Sequence, residues 1–147
     1  MSKAIIYYSF SGVTRAYCEK LARETGAELF EVREKRKRGT FSAYTEGCRR
    51  AIFGGVSEIE ILPPEADFSA YDEITIAGPV WASNTPPAVN AAIRLLPPGK
   101  DVTLVIIAGS SIIYRPGHAE EAIRARGCTL VETISLSAKT IAEDTQG

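Results

Sequence analysis

The feature that most constrains this chain is an alternation of period. Short apolar runs, bounded by Gly, Pro or Ser signals, trade places with segments of helical spacing, and the exchange repeats along the chain. Residues 4–8 are a compact run of Ala, Ile and Tyr that breaks at Ser9-Phe10-Ser11-Gly12. From Thr14 the period changes: Tyr17, Cys18, Leu21 and Ala22 form one stripe, with Gly26 where a C-terminal cap belongs. Residues 29–32 read as a second strand. Residues 43–52 carry Ala43, Tyr44, Cys48, Ala51 and Ile52 at helical spacing, behind a mixed-charge stretch containing Arg36, Lys37 and Arg38. Residues 63–72 read as irregular and lead into a third strand at 73–77, which stops at Gly78-Pro79. Thr85-Pro86-Pro87 opens a third helix, with Thr85 as N-cap, Pro in the first turn and an apolar body at 88–96. Residues 102–108 are the most apolar run, as expected of a strand buried on both faces. A fourth helix at about 118–126 closes at Gly127, and residues 129–136 supply a fifth strand.

The order β-α-β-α-β-α-β-α-β predicts an α/β fold: a three-layer, open, doubly wound, parallel five-stranded sheet with helices on both faces. A length of 147 residues suits a single domain, 1–147. Seventeen basic and 18 acidic residues leave a net charge of −1, which gives no reason to expect nucleic acid or an anionic membrane as partner. Three cysteines without C-x-x-C spacing argue against a disulfide scaffold and a structural zinc site. The apolar run near the N-terminus is too short for a signal-peptide core or a membrane span, so a reducing cytoplasm is the expected location.

In open parallel sheets, ligands bind beyond the carboxyl ends of the strands, where strand order reverses. Three loops are expected at that end. Ser9-Phe10-Ser11-Gly12-Val13-Thr14 follows strand 1 and opens helix 1, offering three hydroxyls and a run of backbone N–H groups that suit a phosphate. The plainer reading is a tight strand-to-helix turn. A nucleoside-triphosphate loop fits worse, because the only Gly-Lys, Gly99-Lys100, is followed by Asp101. A cysteine phosphatase would place its nucleophile in this loop, whereas Cys18 falls inside the helix. The second loop, Gly78-Pro79-Val80-Trp81-Ala82-Ser83-Asn84-Thr85, holds the only tryptophan. The third, Gly109-Ser110-Ser111-Ile112-Ile113-Tyr114, follows strand 4. A phosphate nest flanked by Trp81 and Tyr114 suits a ligand with a phosphate at one end and a flat ring at the other; ordinary packing is the competing reading for both aromatics. His118, with no visible partner, reads as a solvent-facing first-turn residue, and the basic stretch reads as a solvated loop.

On these residues the sequence resembles the flavodoxin family. Ile5-Ile6-Tyr7-Tyr8-Ser9-Phe10-Ser11-Gly12-Val13-Thr14-Arg15 is similar to the flavodoxin phosphate-loop signature, [ST]-x-[ST]-G-x-T after a hydrophobic strand. The stretch from Tyr71 through Trp81, with Pro86-Pro87-Ala88-Val89 behind it, is similar to the third strand and ring-binding loop of that family. The resemblance implies the strand order 2-1-3-4-5, non-covalent FMN, and one- or two-electron transfer to redox partner proteins or a small electron acceptor. It implies that Ser9, Ser11, Gly12 and Thr14 hold the phosphate, with Phe10 and Val13 adding backbone N–H groups. Pro79, Val80, Trp81, Ala82 and Ser83 would line the isoalloxazine, Trp81 stacking on it and Tyr114 covering the other face. Gly109 and Ser110 would approach the pyrimidine edge. No catalytic acid or base is evident, and the cofactor would carry the chemistry.

Departures from the family pattern carry expectations of their own. Val13 stands where many flavodoxins have Asn, and Ala82 where many have Gly. Because Ala resists positive φ, the one-electron-reduced flavin is expected to be stabilised less than in a typical flavodoxin. The charge of −1 is also less acidic than that of electron-shuttle flavodoxins. Two other readings stay open: an NAD(P)H- or quinone-dependent FMN oxidoreductase on the same fold, and an FMN-free flavodoxin-like interaction module. Finally, strand 5 ends near Ser137, so the fifth helix that normally finishes such a sheet is expected to be short or missing. Either the chain is truncated or a partner subunit, such as a second copy in a homo-oligomer, covers that face. Leu130, Ile134 and Leu136 are expected on one side of strand 5, and the weaker side, Val131, Thr133 and Ser135, is expected to be the uncovered one.

Overall fold

Strand β1 (Lys3–Tyr8) organises the molecule because nearly all of its side chains are apolar and both of its faces are covered. The computed structural model describes residues 2–9, 12–35, 58–64, 66–80, 85–108, 117–139 and 141. Ala4, Ile6 and Tyr8 point into one core, and Ile5 and Tyr7 into another on the opposite face. Fully burying side chains of this size stabilises the fold by about 1.5–3 kcal/mol each. Helix α1 (Val13–Thr25) covers the second face through Val13, Tyr17, Cys18 and Leu21. It ends where predicted, at Gly26, whose φ of 74° lets its N–H reach the Ala22 carbonyl at 2.9 Å.

Strand β2 (Glu28–Glu34) pairs with β1 in parallel, Ala4 opposite Glu28 and Tyr8 opposite Val32. On its outer side lies β3 (Ile59–Leu62), antiparallel to β2, with Val32 opposite Ile61. This strand was not expected from the sequence. A 3₁₀ turn at Phe68–Ala70, capped by the Asp67 carboxylate accepting from the Ser69 N–H, leads into β4 (Glu73–Pro79). Phe68 and Tyr71 there meet Phe30 edge-on, with ring centroids 5.3 and 5.6 Å apart. Helix α2 (Pro87–Ile93), β5 (Asp101–Ala108), helix α3 (Gly117–Ala125) and β6 (Thr129–Ser137) complete the succession.

The sheet order is β3-β2-β1-β4-β5-β6. Without β3, the five parallel strands stand in the order 2-1-3-4-5 expected from the resemblance. The sheet therefore has six strands and is mostly parallel. Helices α2 and α3 cover the face opposite α1, so three layers are present. The predicted helix at 43–52 lies outside the described residues.

Strand β6 departs from simple alternation. Val102 pairs with Leu130 and Thr103 with Glu132, so Val131 is an extra residue, a β-bulge. Leu130 consequently packs with the α2–α3 core, whereas Ile134 and Leu136 pack with the α1 core. The expectation that these three share one side is therefore corrected. So is the expectation that the weaker side is uncovered: Thr133 faces α3, where its hydroxyl donates to the Glu120 carboxylate at 2.6 Å. Beyond β6, Ala138, Lys139 and Ile141 are helical, and Ile141 is buried against the α1 core.

Candidate functional site

Strand order reverses between β1 and β4, which run side by side with Tyr7 opposite Ala77, while their helices leave on opposite faces. In open parallel sheets such a switch point, beyond the carboxyl ends of the two strands, is where ligands bind. This is where the first two predicted loops originate.

At the end of β1, the Gly12 N–H donates to Ser9 Oγ at 3.0 Å, closing the turn. Gly12 has φ 96°, a left-handed conformation that residues with a Cβ resist, and it occupies the N-cap of α1. Its carbonyl accepts from the Ala16 N–H at 3.1 Å, so the helix starts immediately. Gly12 carries no side chain to cap the first turn, and no acidic residue stands in that turn. The leading N–H groups of α1 thus face outward beside a position where an added Cβ would meet nothing within 4 Å. Donors, positive helix end and open space together fit a phosphate dianion. Val13 is half-buried and Thr14 is buried. Of the predicted phosphate residues, the structure thus brings Ser9, Gly12, Val13 and Thr14 together; Phe10 and Ser11 lie outside the described residues.

Arg15 follows directly and is turned toward β2, where its guanidinium meets Glu31 Oε1 at 2.5 Å. Arg33 Nε approaches the same oxygen at 3.2 Å. Burial alone would raise the Glu31 carboxyl, but hydrogen bonds from Arg33 and Arg15, and their charges, hold it below its ordinary value. Burial pushes the neighbouring Tyr7 phenol up, and the Glu31 charge adds to that. On the other face, Tyr8 donates from its hydroxyl to Glu34 Oε1 at 2.7 Å. Both β1 tyrosines are therefore anchored just before the nest.

At the end of β4, Pro79 still pairs with Ile107, and the Val80 N–H donates to the Ile107 carbonyl at 3.0 Å. Val80 packs on the α2–α3 core. Trp81, Ala82, Ser83, Gly109, Ser110 and Tyr114 lie outside the described residues. The segment after Val80 rejoins the described chain at Thr85, where one sequence reading needs correction. Pro86, with φ −63° and ψ 157°, is the N-cap of α2 and makes no side-chain capping bond. Thr85 instead donates its hydroxyl to Asn90 Oδ1, and Asn90 Nδ2 donates back to the Thr85 carbonyl at 3.4 Å. The sequence reading missed this pair. Its signal was an Asn inside an otherwise apolar, Ala-rich helix.

Among the described residues, no helix is long and apolar enough to cross a membrane. Comparison with solved structures gives the same fold for three bacterial proteins. A flavoprotein from Lactobacillus acidophilus NCFM, determined in complex with FMN, matches with a TM-score of 0.75 and 20% identity over 99% of each chain. Putative flavoproteins from Bacteroides uniformis ATCC 8492 and Bacteroides eggerthii DSM 20697 match with TM-scores of 0.73 and 0.70, each at 19% identity. Both matches span 99% of this chain, and 98% and 96% of theirs. A search of curated proteins returned no match. The family model described as Flavodoxin matches residues 2–132. That span runs from the start of β1, through the turn that opens α1 and the β1–β4 switch point, into β6, and this chain belongs to the flavodoxin family.

Proposed function

We propose that this protein binds FMN without a covalent link and passes electrons through it to a redox partner, either a protein or a small acceptor. The observation that carries this reading is the nest at the start of α1. Ser9 and Gly12 form a left-handed turn whose outward N–H groups stand at the switch point of the sheet, with no acidic side chain in the first turn to oppose an anion. Ser9, Ser11, Gly12 and Thr14 would hold the phosphate, with N–H groups from Phe10 and Val13. Pro79, Val80, Trp81, Ala82 and Ser83 would line one side of the ring, and Gly109, Ser110 and Tyr114 the other. When bound, the flavin supplies the electron chemistry; the protein supplies binding, orientation and shielding from water.

The family and the FMN complex of the Lactobacillus protein support this reading. We further propose that residues 1–147 act as a single domain in the cytoplasm, in keeping with the free, buried Cys18 and Cys128.

The test is flavin uptake. Apoprotein should quench FMN fluorescence at one equivalent and bind riboflavin, which lacks the phosphate, at least tenfold more weakly. Gly12→Ala should weaken FMN and leave riboflavin nearly unchanged, because the strain falls on the nest. Equal affinity for the two flavins would remove the nest from the site, and no uptake of either would make this an FMN-free module. Rapid NAD(P)H or quinone turnover by the pure holoprotein would instead assign it as an FMN oxidoreductase on the same fold.

A further inference from the structure

Helix α1 opens with a residue that its own electrostatics disfavour. Gly12 is the N-cap, so Val13, Thr14 and Arg15 are the first three helical positions, and Arg15 brings a cation to the positive end of the helix. A nearby anion offsets that repulsion. In the structure it is Glu31, whose Oε1 meets the Arg15 guanidinium at 2.5 Å. The Tyr7 hydroxyl lies against Arg15 as well, and with its phenol pushed up it is an uncharged partner at neutral pH.

Glu31 has a second cation. Arg33 forks across both carboxylate oxygens, with Nε 3.2 Å from Oε1 and another guanidinium nitrogen donating to Oε2 at 3.3 Å. Arg15 touches Oε1 alone, so its departure would leave Glu31 still paired in two-pronged fashion. The Arg15 side chain is 47% exposed, which gives it room to turn. The third helical position is also the one from which a side chain bends back to the N-cap, as the acid of a capping box does. Arginine is longer than that acid, and Arg15 therefore reaches a group bound at the Gly12 turn.

We propose that Arg15 is a phosphate-binding residue held in reserve by Glu31: when the flavin phosphate enters the Gly12 turn, the guanidinium leaves Glu31 for the phosphate, and Arg33 keeps Glu31 paired. The proposal rests on the FMN reading above. A phosphate monoester carries close to two negative charges at neutral pH, against one on a carboxylate already shared with Arg33, so the exchange takes Arg15 to the stronger anion. Glu31 is then a positioning residue that competes with the cofactor for one cation.

Riboflavin, which lacks the phosphate, separates this role from a structural one. Arg15→Gln should weaken FMN about three- to tenfold, leave riboflavin unchanged, and lose its effect at high salt. Arg15→Lys, which keeps the charge, should lose less. Glu31→Gln should tighten FMN about two- to fivefold without moving riboflavin, whereas loss of a purely structural residue would weaken both. That gain should vanish in the Arg15→Gln background, because the two residues act through one contact. A readout without flavin is the Arg15 Nε resonance of labelled apoprotein, which should shift on titration with inorganic phosphate at an ionic strength matched with chloride. Wild-type FMN affinity in Arg15→Gln, or an equal gain from Glu31→Gln with and without Arg15, would overturn the proposal. Should wild-type protein take up neither flavin, the FMN reading fails and the phosphate titration decides: an Arg15 signal that phosphate leaves in place overturns the reserve role.

Discussion

Gly78 lies so close to Val89 that a Cβ on Gly78 would stand 2.4 Å from Val89 Cγ2. The contact joins the end of β4 to the middle of α2, the two elements that frame the connection from Val80 to Thr85. Gly78 is thus required by crowding, since its φ lies outside the left-handed region. Gly78→Ala should destabilise the fold by about 1–3 kcal/mol, the usual range for overpacking. Adding Val89→Ala should cost less than the two single changes together, because the smaller side chain relieves the clash. Denaturant unfolding measures both, and a loss below about 0.5 kcal/mol in Gly78→Ala would mean that α2 shifts freely.

Glu31 sits between Arg15 of α1 and Arg33 of β2, and its carboxyl is held low. A carboxylate whose folded value lies below its unfolded one contributes stability that is present at neutral pH. That contribution is lost as pH falls through the folded value. Glu31→Gln should therefore cost about 1 kcal/mol or less at pH 7, since both arginines are largely exposed and solvent screens them. The difference from wild type should shrink as the pH falls through the lowered folded value, and also at high salt. A difference that persists unchanged in high salt at pH 7 would point to packing of the side chain rather than its charge.

Cys18 is fully enclosed in the α1 core, and burial pushes its thiol up to about 12. Cys128 is buried too, with its S–H donating to the Pro97 carbonyl at 3.1 Å. At pH 8 only about one part in ten thousand of Cys18 would be thiolate even with free access. A thiol reagent should therefore titrate at most one group quickly in the native protein, and three after unfolding in guanidinium. Two fast thiols in the native state would show that one of these helix or strand contacts opens readily.

Much of this architecture could be read from period and punctuation. β1, α1 and Gly26 lie within a residue of where apolar spacing and the cap residue placed them, because α1 is long and shows one clear stripe. β3 escaped notice although Glu58-Ile59-Glu60-Ile61 alternates cleanly. Four residues are few for a periodic signal, and an antiparallel edge strand does not belong to the repeating β-α pattern. Thr85 was misassigned because a Thr before two prolines is a reasonable N-cap. What no local rule shows is that Asn90, one turn further on, competes for its hydroxyl. At the site, the strand-to-helix junction was legible because hydroxyl residues and Gly12 follow an apolar run and open a helical stripe, and the structure shows the turn and the Gly12 N-cap there. The ordering of Tyr7, Arg15, Glu31 and Arg33 was not, since it depends on which strand lies beside β1.

The bulge in β6 stores structural information as a count rather than as a residue type. Val131 is 60% exposed and, among the described residues, belongs to neither core cluster, so replacing it with Lys or Thr should leave stability within about 0.5 kcal/mol. Deleting it would remove the bulge itself: Leu130 would still stand opposite Val102 and Glu132 opposite Thr103, now as direct neighbours in regular alternation. Leu130 and Thr133 would keep the face of α3, and Ile134 and Leu136 that of α1. Residue 131 thus marks a place in the strand where the count can fall by one while every other side chain keeps its own face.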